Sequence, residues 1–299
     1  MTLALQGSSL KGFDAAMFKR AGVIIVLIIA LVLLTTLVVS ANLTVTRNMI
    51  GVLGDFDFEF WRESEGKGTM TVFRDGTFEC SWEDADVILF RTGKKMGNPG
   101  GRRTDNIFKH EEYGDIFISY AADYLPDGNS YLCVYGWTVD PLVEFYIIES
   151  WGSWHPTGDD LMGTEKLDGG TYDVYVTMRV EEASINGTQT FPQFWSVRTD
   201  RRTEGTISVS EHFRQWEDMG MELGKMFEVA FCVEGINSSG EANVYRHLLT
   251  IGDDTFGEGT HDTGQSKTGI SPVVIFAVVI GVIVAGAVFY SFGFIKKKP

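Results

Sequence analysis

The sequence predicts an all-β fold, an antiparallel sandwich or jelly roll with one short helix, set between two transmembrane helices. Three observations carry this. Apolar and polar residues alternate with period two through the middle of the chain, as in Phe56-Asp57-Phe58-Glu59-Phe60, Tyr172-Asp173-Val174-Tyr175-Val176 and Phe227-Glu228-Val229-Ala230-Phe231; such alternation marks half-buried strands. Turn dipeptides separate the runs, at Asp75-Gly76, Asp127-Gly128, Gly169-Gly170 and Asn186-Gly187. Long uncharged stretches lie near both ends of the 299 residues.

In chain order, residues 1–20 form a short basic tail with Lys11, Lys19 and Arg20. Residues 21–43 read as a membrane anchor, because about 20 apolar residues in a helix cross a hydrocarbon core of about 30 Å. Val39-Ser40-Ala41 also fits a cleavage site, so a signal peptide is the competing reading. Residues 41–53 read as a connection and 54–252 as the folded domain. Inside it, Ser210 to Gly220 reads as a helix, with Ser210 as cap, Gly220 as terminator, and Phe213 and Trp216 on the buried face. His212 is read as a surface or packing residue. Residues 253–271, rich in Gly, Thr, Ser and Asp, read as a flexible linker. A second span over 272–294 and a basic tail over 295–299 complete the chain. Positive charge outside both spans places both ends in the cytoplasm and the domain outside the cell membrane.

Charge excludes one class of partner. The net charge is −15, and Asp14 is the only acidic residue outside positions 50–265. Nucleic acid needs clustered cations and is excluded; a neutral polymer such as a polysaccharide fits. Cys80, Cys133 and Cys232 are odd in number and lack metal-ligand spacing. They read as buried free thiols, with one disulfide as the alternative, and no metal or cofactor is expected.

Two glutamates carry the chemical reading. In Val143-Glu144-Phe145-Tyr146-Ile147-Ile148, a strand puts Glu144 and Tyr146 on one face. Tyr135 and Trp137 share a face at the same spacing. Rings on a sheet face stack on sugar C–H surfaces while polar groups take the hydroxyls. Glu234 ends the apolar strand Phe231-Cys232-Val233, where desolvation raises a carboxyl pKa and keeps it protonated as a general acid needs. One ionised and one protonated carboxyl suit retaining glycoside hydrolysis.

Four longer segments sharpen this. PLVEFYIIESWGSWHPTG, DGGTYDVYVTMRVEEASINGTQTFPQFWSVR, SEHFRQWEDMGMELGKMF and VEGINSSGEANV together resemble the glycoside hydrolase family 11 endo-β-1,4-xylanases, over residues 54–250. The resemblance implies a jelly roll of two twisted antiparallel sheets, one helix and a long cleft, in a monomeric domain acting on xylan. It implies Glu144 as nucleophile and Glu234 as acid/base. Tyr135, Tyr146, Arg179, Gln193, Trp137 and Trp195 match cleft residues, and Trp61 a distal stacking tryptophan. Residues 181–190, with Ser184 and Ile185, match the thumb hairpin that closes over substrate.

Some positions depart from the family pattern. Ala183 replaces the thumb proline, and Ile236 a tyrosine. The polar neighbour of the acid/base falls on Val87, with Asp86 one step earlier, so either the strand slips by one or the partner is absent. Glu228 replaces a cleft tyrosine and is expected to weaken a distal subsite without retuning catalysis. Sequons at Asn42, Asn186 and Asn237 read as incidental. These departures keep two alternatives open: a membrane-anchored glycan-binding protein without activity, or a related β-glucanase.

Overall fold

A computed structural model describes residues 42–63, 66–96 and 107–257. Residues 21–41 of the first expected span, the whole of the second, both tails and residues 258–271 of the expected linker lie outside the described residues, while Leu43 belongs to a strand. Among the described residues no helix is long and apolar enough to cross a membrane.

Three long strands organise the molecule: β5 (Phe78–Lys95), β6 (Ile116–Val139) and β12 (Lys225–Ile251). Around them lie β1 (Leu43–Val45), β2 (Met49–Leu53), β3 (Phe56–Arg62), β4 (Lys67–Val72), β7 (Val143–Trp151), β8 (Asp160–Leu167), β9 (Gly170–Ser184), β10 (Gly187–Arg198), β11 (Glu204–Ser208) and β13 (Asp254–Phe256). The main hydrogen-bonded order is β1-β4-β5-β12-β6-β7-β10-β9-β8. The long strands change partners along their length. The start of β5 pairs β4 and its end pairs β3, while β6 pairs first β11 and then β7.

A corner crosses all three strands where β5 and β6 change partners. Asp84 (φ 48°), Gly128 (φ 101°) and Asn237 (φ 47°) take left-handed backbone there, and β12 shifts register between Ile236 and Ser239. Bulges of this kind bend a sheet so that one strand serves two layers. The predicted turn at Asp127-Gly128 is therefore a kink inside β6. Gly128 is needed because a Cβ would sit 2.8 Å from that of Ser238.

Other expectations shift for similar reasons. Residues 41–53 contain β1 and β2, paired to β4 and β3. The start of the expected linker forms β13, paired to the end of β12. The hairpin between β8 and β9 turns on Asp168-Gly169, both at positive φ, one residue earlier than read. β10 runs parallel to β7, an exception to the antiparallel expectation, because β8 and β9 intervene in the chain. In β3, Asp57 and Glu59 are buried alongside the phenylalanines, since charged groups of β5 cover that face.

The main core lies between the layers and is dense in aromatics, with Phe60, Phe90, Phe145 and Phe231 all at 0% exposure. Each such ring contributes about 1.5–3 kcal/mol on burial. The helix α1 (Val209–Asp218) packs on this core through Phe213, whose ring lies 4.9 Å from Phe145, and through Trp216. Ser210 does not cap it. Its Oγ accepts the Ile116 backbone N–H at 2.8 Å, from inside the first turn. His212 is fully buried beneath α1 between the carboxylates of Glu165 and Asp168. The three cysteines are free and buried.

Candidate active site

A second apolar cluster lies on the opposite face of the same strands, built from Tyr131, Tyr135, Trp137, Tyr146, Ile148, Phe191 and neighbours. It floors a cleft of about 750 Å³. Strand alternation selects these residues, since those that face the core are the other half of β6 and β7.

Register places the first glutamate. Glu144 on β7 is opposite Trp137 on β6 and Gln193 on β10, and Tyr146 is opposite Tyr135 and Trp195. Three donors converge on its carboxylate. Gln193 Nε2 donates to Oε2 at 2.6 Å, and Tyr135 and Tyr146 hydroxyls donate to Oε1 at 2.7 and 3.3 Å. Trp137 Nε1 donates to the Tyr135 hydroxyl at 2.7 Å, which orients that phenol. Burial pushes the Glu144 pKa up; the three hydrogen bonds and the Arg179 charge oppose that rise.

Glu234 differs. It sits on β12 opposite Tyr131 and Leu89, is 6% exposed, and its Oε2 has no hydrogen-bond partner. Burial and the Glu144 charge push its pKa up to about 8, against Arg91, Tyr146 and Arg179. Of the two carboxyls, this is the one that keeps its proton near neutrality. The unbroken β5–β12 register through Ile236↔Val87 excludes a slip of one residue. Val87 lines the cleft and Asp86 is exposed. Val87 has no polar side-chain atom to offer the acid.

All the other predicted residues line the same cleft. Trp195 stacks flat on Tyr146, centroids 4.2 Å apart. Arg179 is 43% exposed and 3.5 Å from Glu182. At the thumb tip, Ser184 Oγ donates to the Gly187 carbonyl at 2.6 Å and accepts the Asn186 N–H at 3.1 Å. Ser184 thus shapes the turn, and Ile185 packs against the floor cluster. Trp61 is half-buried at the wall.

Glu228 is buried and paired. It is 3% exposed and takes both Arg91 Nε and Nη2, at 2.9 and 3.2 Å. Sequence reasoning missed Arg91, Glu59 and Lys95, and also Trp154 at the cleft mouth. The signal for Arg91 was a lone cation directly after the apolar run Ile88-Leu89-Phe90, where a buried charge requires partners.

Comparison with known proteins identifies the family. The family model for glycosyl hydrolases family 11 matches residues 54–245. Endo-1,4-beta-xylanase A of Bacillus pumilus is 46% identical over 235 residues, covering 79% of this chain and 99% of that protein. Endo-1,4-beta-xylanase A of Thermoclostridium stercorarium is 50% identical over 222 residues, 74% of this chain; the chain spans only 33% of that longer protein. The solved structure of the family 11 xylanase from Neocallimastix patriciarum superposes with a TM-score of 0.62 at 34% identity, covering 71% of this chain and all of that one. Through these matches the chain belongs to glycosyl hydrolases family 11.

Proposed function

We propose that this chain is a retaining endo-β-1,4-xylanase that hydrolyses internal xylosidic bonds of xylan. The observation that carries the reading is the asymmetry of two buried carboxyls in one cleft. Glu144 is held as an anion by three donors, and Glu234 has an unpartnered oxygen and a pKa of about 8.

In the first step Glu144 attacks the anomeric carbon as the bond to the leaving oxygen breaks. Glu234 gives its proton to that oxygen. In the second step water attacks the same carbon, Glu234 takes the water proton, and Glu144 leaves as a carboxylate. Tyr135 and Gln193 fix the attacking carboxylate in place before substrate arrives, so no reorganisation is required at the moment of reaction.

Reducing-sugar release from xylan, with Glu144→Ala as control, tests the activity. Glu234→Gln is expected to lose far more kcat/KM on xylan than on aryl xylosides with good leaving groups, which need no proton in the first step, the step that kcat/KM reports. Equal loss on both substrates refutes the acid role. The apolar stretches 21–43 and 272–294 support a further part of the reading, that the domain is held outside a cell membrane. Fractionation with external protease tests it, and a domain resistant in intact cells overturns it.

A further inference from the structure

The wall of the cleft beside Tyr135 carries a four-charge ladder that the two-carboxyl mechanism does not use. Arg91 Nη2 donates to Glu59 Oε2 at 2.7 Å, and Lys95 Nζ donates to the same oxygen at 3.3 Å. On its other side Arg91 grips Glu228 through Nε and Nη2. Arg91, Glu59 and Glu228 are each less than a tenth exposed. Register explains the assembly: Arg91 on β5 lies directly opposite Glu59 on β3, and Glu228 on β12 lies opposite Lys95 on β5.

The ladder holds the guanidinium in a specific place. Arg91 Cζ lies 4.6 Å from the centroid of the Tyr135 ring, within cation–π range. Tyr135 is the phenol that donates to the nucleophile at 2.7 Å and is itself held by Trp137. A ring fixed at its hydroxyl and at its face has no freedom to swing away from Glu144. Two cations and two carboxylates compensate one another, so the cluster does not form an anion site. Its remaining effect is geometric and electrostatic.

We propose that Arg91, clamped by Glu59 and Glu228, is a positioning residue for this reaction: it holds Tyr135 against the nucleophile and keeps a fixed positive charge at the wall that the acid/base faces. The proposal rests on the hydrolase reading above. Glu144 and Tyr146 from β7, Arg91 from β5 and Arg179 from β9 act on Glu234, and Glu234 in turn acts on Tyr131 and Cys133 from β6. Among them Glu144 raises the acid's pKa, while Arg91 and Arg179 lower it. Glu228 reaches Tyr135 electrostatically as well. The substitution of a carboxylate at 228 is therefore coupled to catalysis, not confined to a remote subsite.

The test reads the pH dependence of kcat on xylo-oligosaccharides for three variants of the full chain. Arg91→Met removes the cation, and the basic limb of the profile moves up by about one pH unit. Glu228→Gln removes the opposing anion, and the limb moves down. Arg91→Lys keeps the charge but loses the bidentate fork and the flat stacking. Its limb stays within about 0.3 units of wild type while kcat falls about tenfold. Opposite shifts from Arg91→Met and Glu228→Gln support the proposal, because a purely structural defect moves both the same way or neither. An unmoved limb in both, or shifts of one sign, overturns it. If Arg91→Met does not fold, Glu228→Gln and Arg91→Lys decide alone. If wild type does not cleave xylan, the hydrolase reading has failed independently. The Glu234 carboxyl titration by carbon-13 NMR then reads the same shifts without turnover.

Discussion

Replacing Gln193 with Met tests how the nucleophile is kept ionised. Gln193 is 8% exposed, and its Nε2 lies 2.6 Å from Glu144 Oε2. Methionine preserves the volume and removes the donor. A hydrogen bond to a charged group contributes about 1.5–3 kcal/mol. At 1.36 kcal/mol per pH unit, its loss raises the Glu144 pKa by about one to two units. The direction follows because burial already raises this pKa and Gln193 is the first of the groups that oppose it. Glu144 must be ionised to attack, so the acidic limb of kcat/KM moves up by that amount. Tyr146→Phe is the internal comparison. Its bond to Glu144 is 3.3 Å, long for an O–H donor, and its removal moves the limb by about half a unit or less. The assay is kcat/KM on an aryl xylobioside from pH 3 to 9, which reports the free enzyme. If Gln193→Met lowers activity while the acidic limb stays within about 0.3 units, Gln193 acts on the sugar alone and the reasoning is refuted.

Further outcomes follow from the same geometry. For the fully buried His212, burial lowers the pKa but the Asp168 and Glu165 carboxylates outweigh it, pushing it up to about 9 from 6.5. Between those values the folded state binds a proton that the unfolded state has released. About 3 kcal/mol of stability, complete below pH 6.5, is then lost as pH rises through 9. Urea midpoints across pH 6–10 measure this, and the same slope in His212→Gln refutes it. Trp216→Ala removes a ring at 0% exposure and its 2.8 Å bond to Ser196 Oγ. It should cost about 3–5 kcal/mol of stability by urea unfolding, with KM for xylan unchanged because Trp216 faces the core.

Much of the site was legible because it is local. Glu144 and Tyr146 share a cleft face through simple alternation, and so do Tyr135 and Trp137, whose indole serves Tyr135 from two residues away. The helix was legible from its apolar spacing, although its start was read one residue late and Ser210 bonds β6 instead of capping. Asp127-Gly128 has the composition of a turn, yet pairing with β12 resumes on both sides of it across a register shift, which makes it a kink. A dipeptide does not record whether the chain beyond it reverses or bends. Glu228 and Arg91 escaped the sequence reading because their pairing spans 137 positions.

The sequence by itself determined the all-β class, the alternating faces and the apolar core. These depend on side-chain type and on periods of two along a single strand. Only the tertiary structure decided that the long strands bend at a shared corner. It alone also set which carboxyl is surrounded by donors and which is left with a bare oxygen, and that Arg91 stands between Glu59 and Glu228. Those outcomes depend on register between distant strands and on how much water the assembled cleft excludes. Both are properties of the packed sheets and of no single segment.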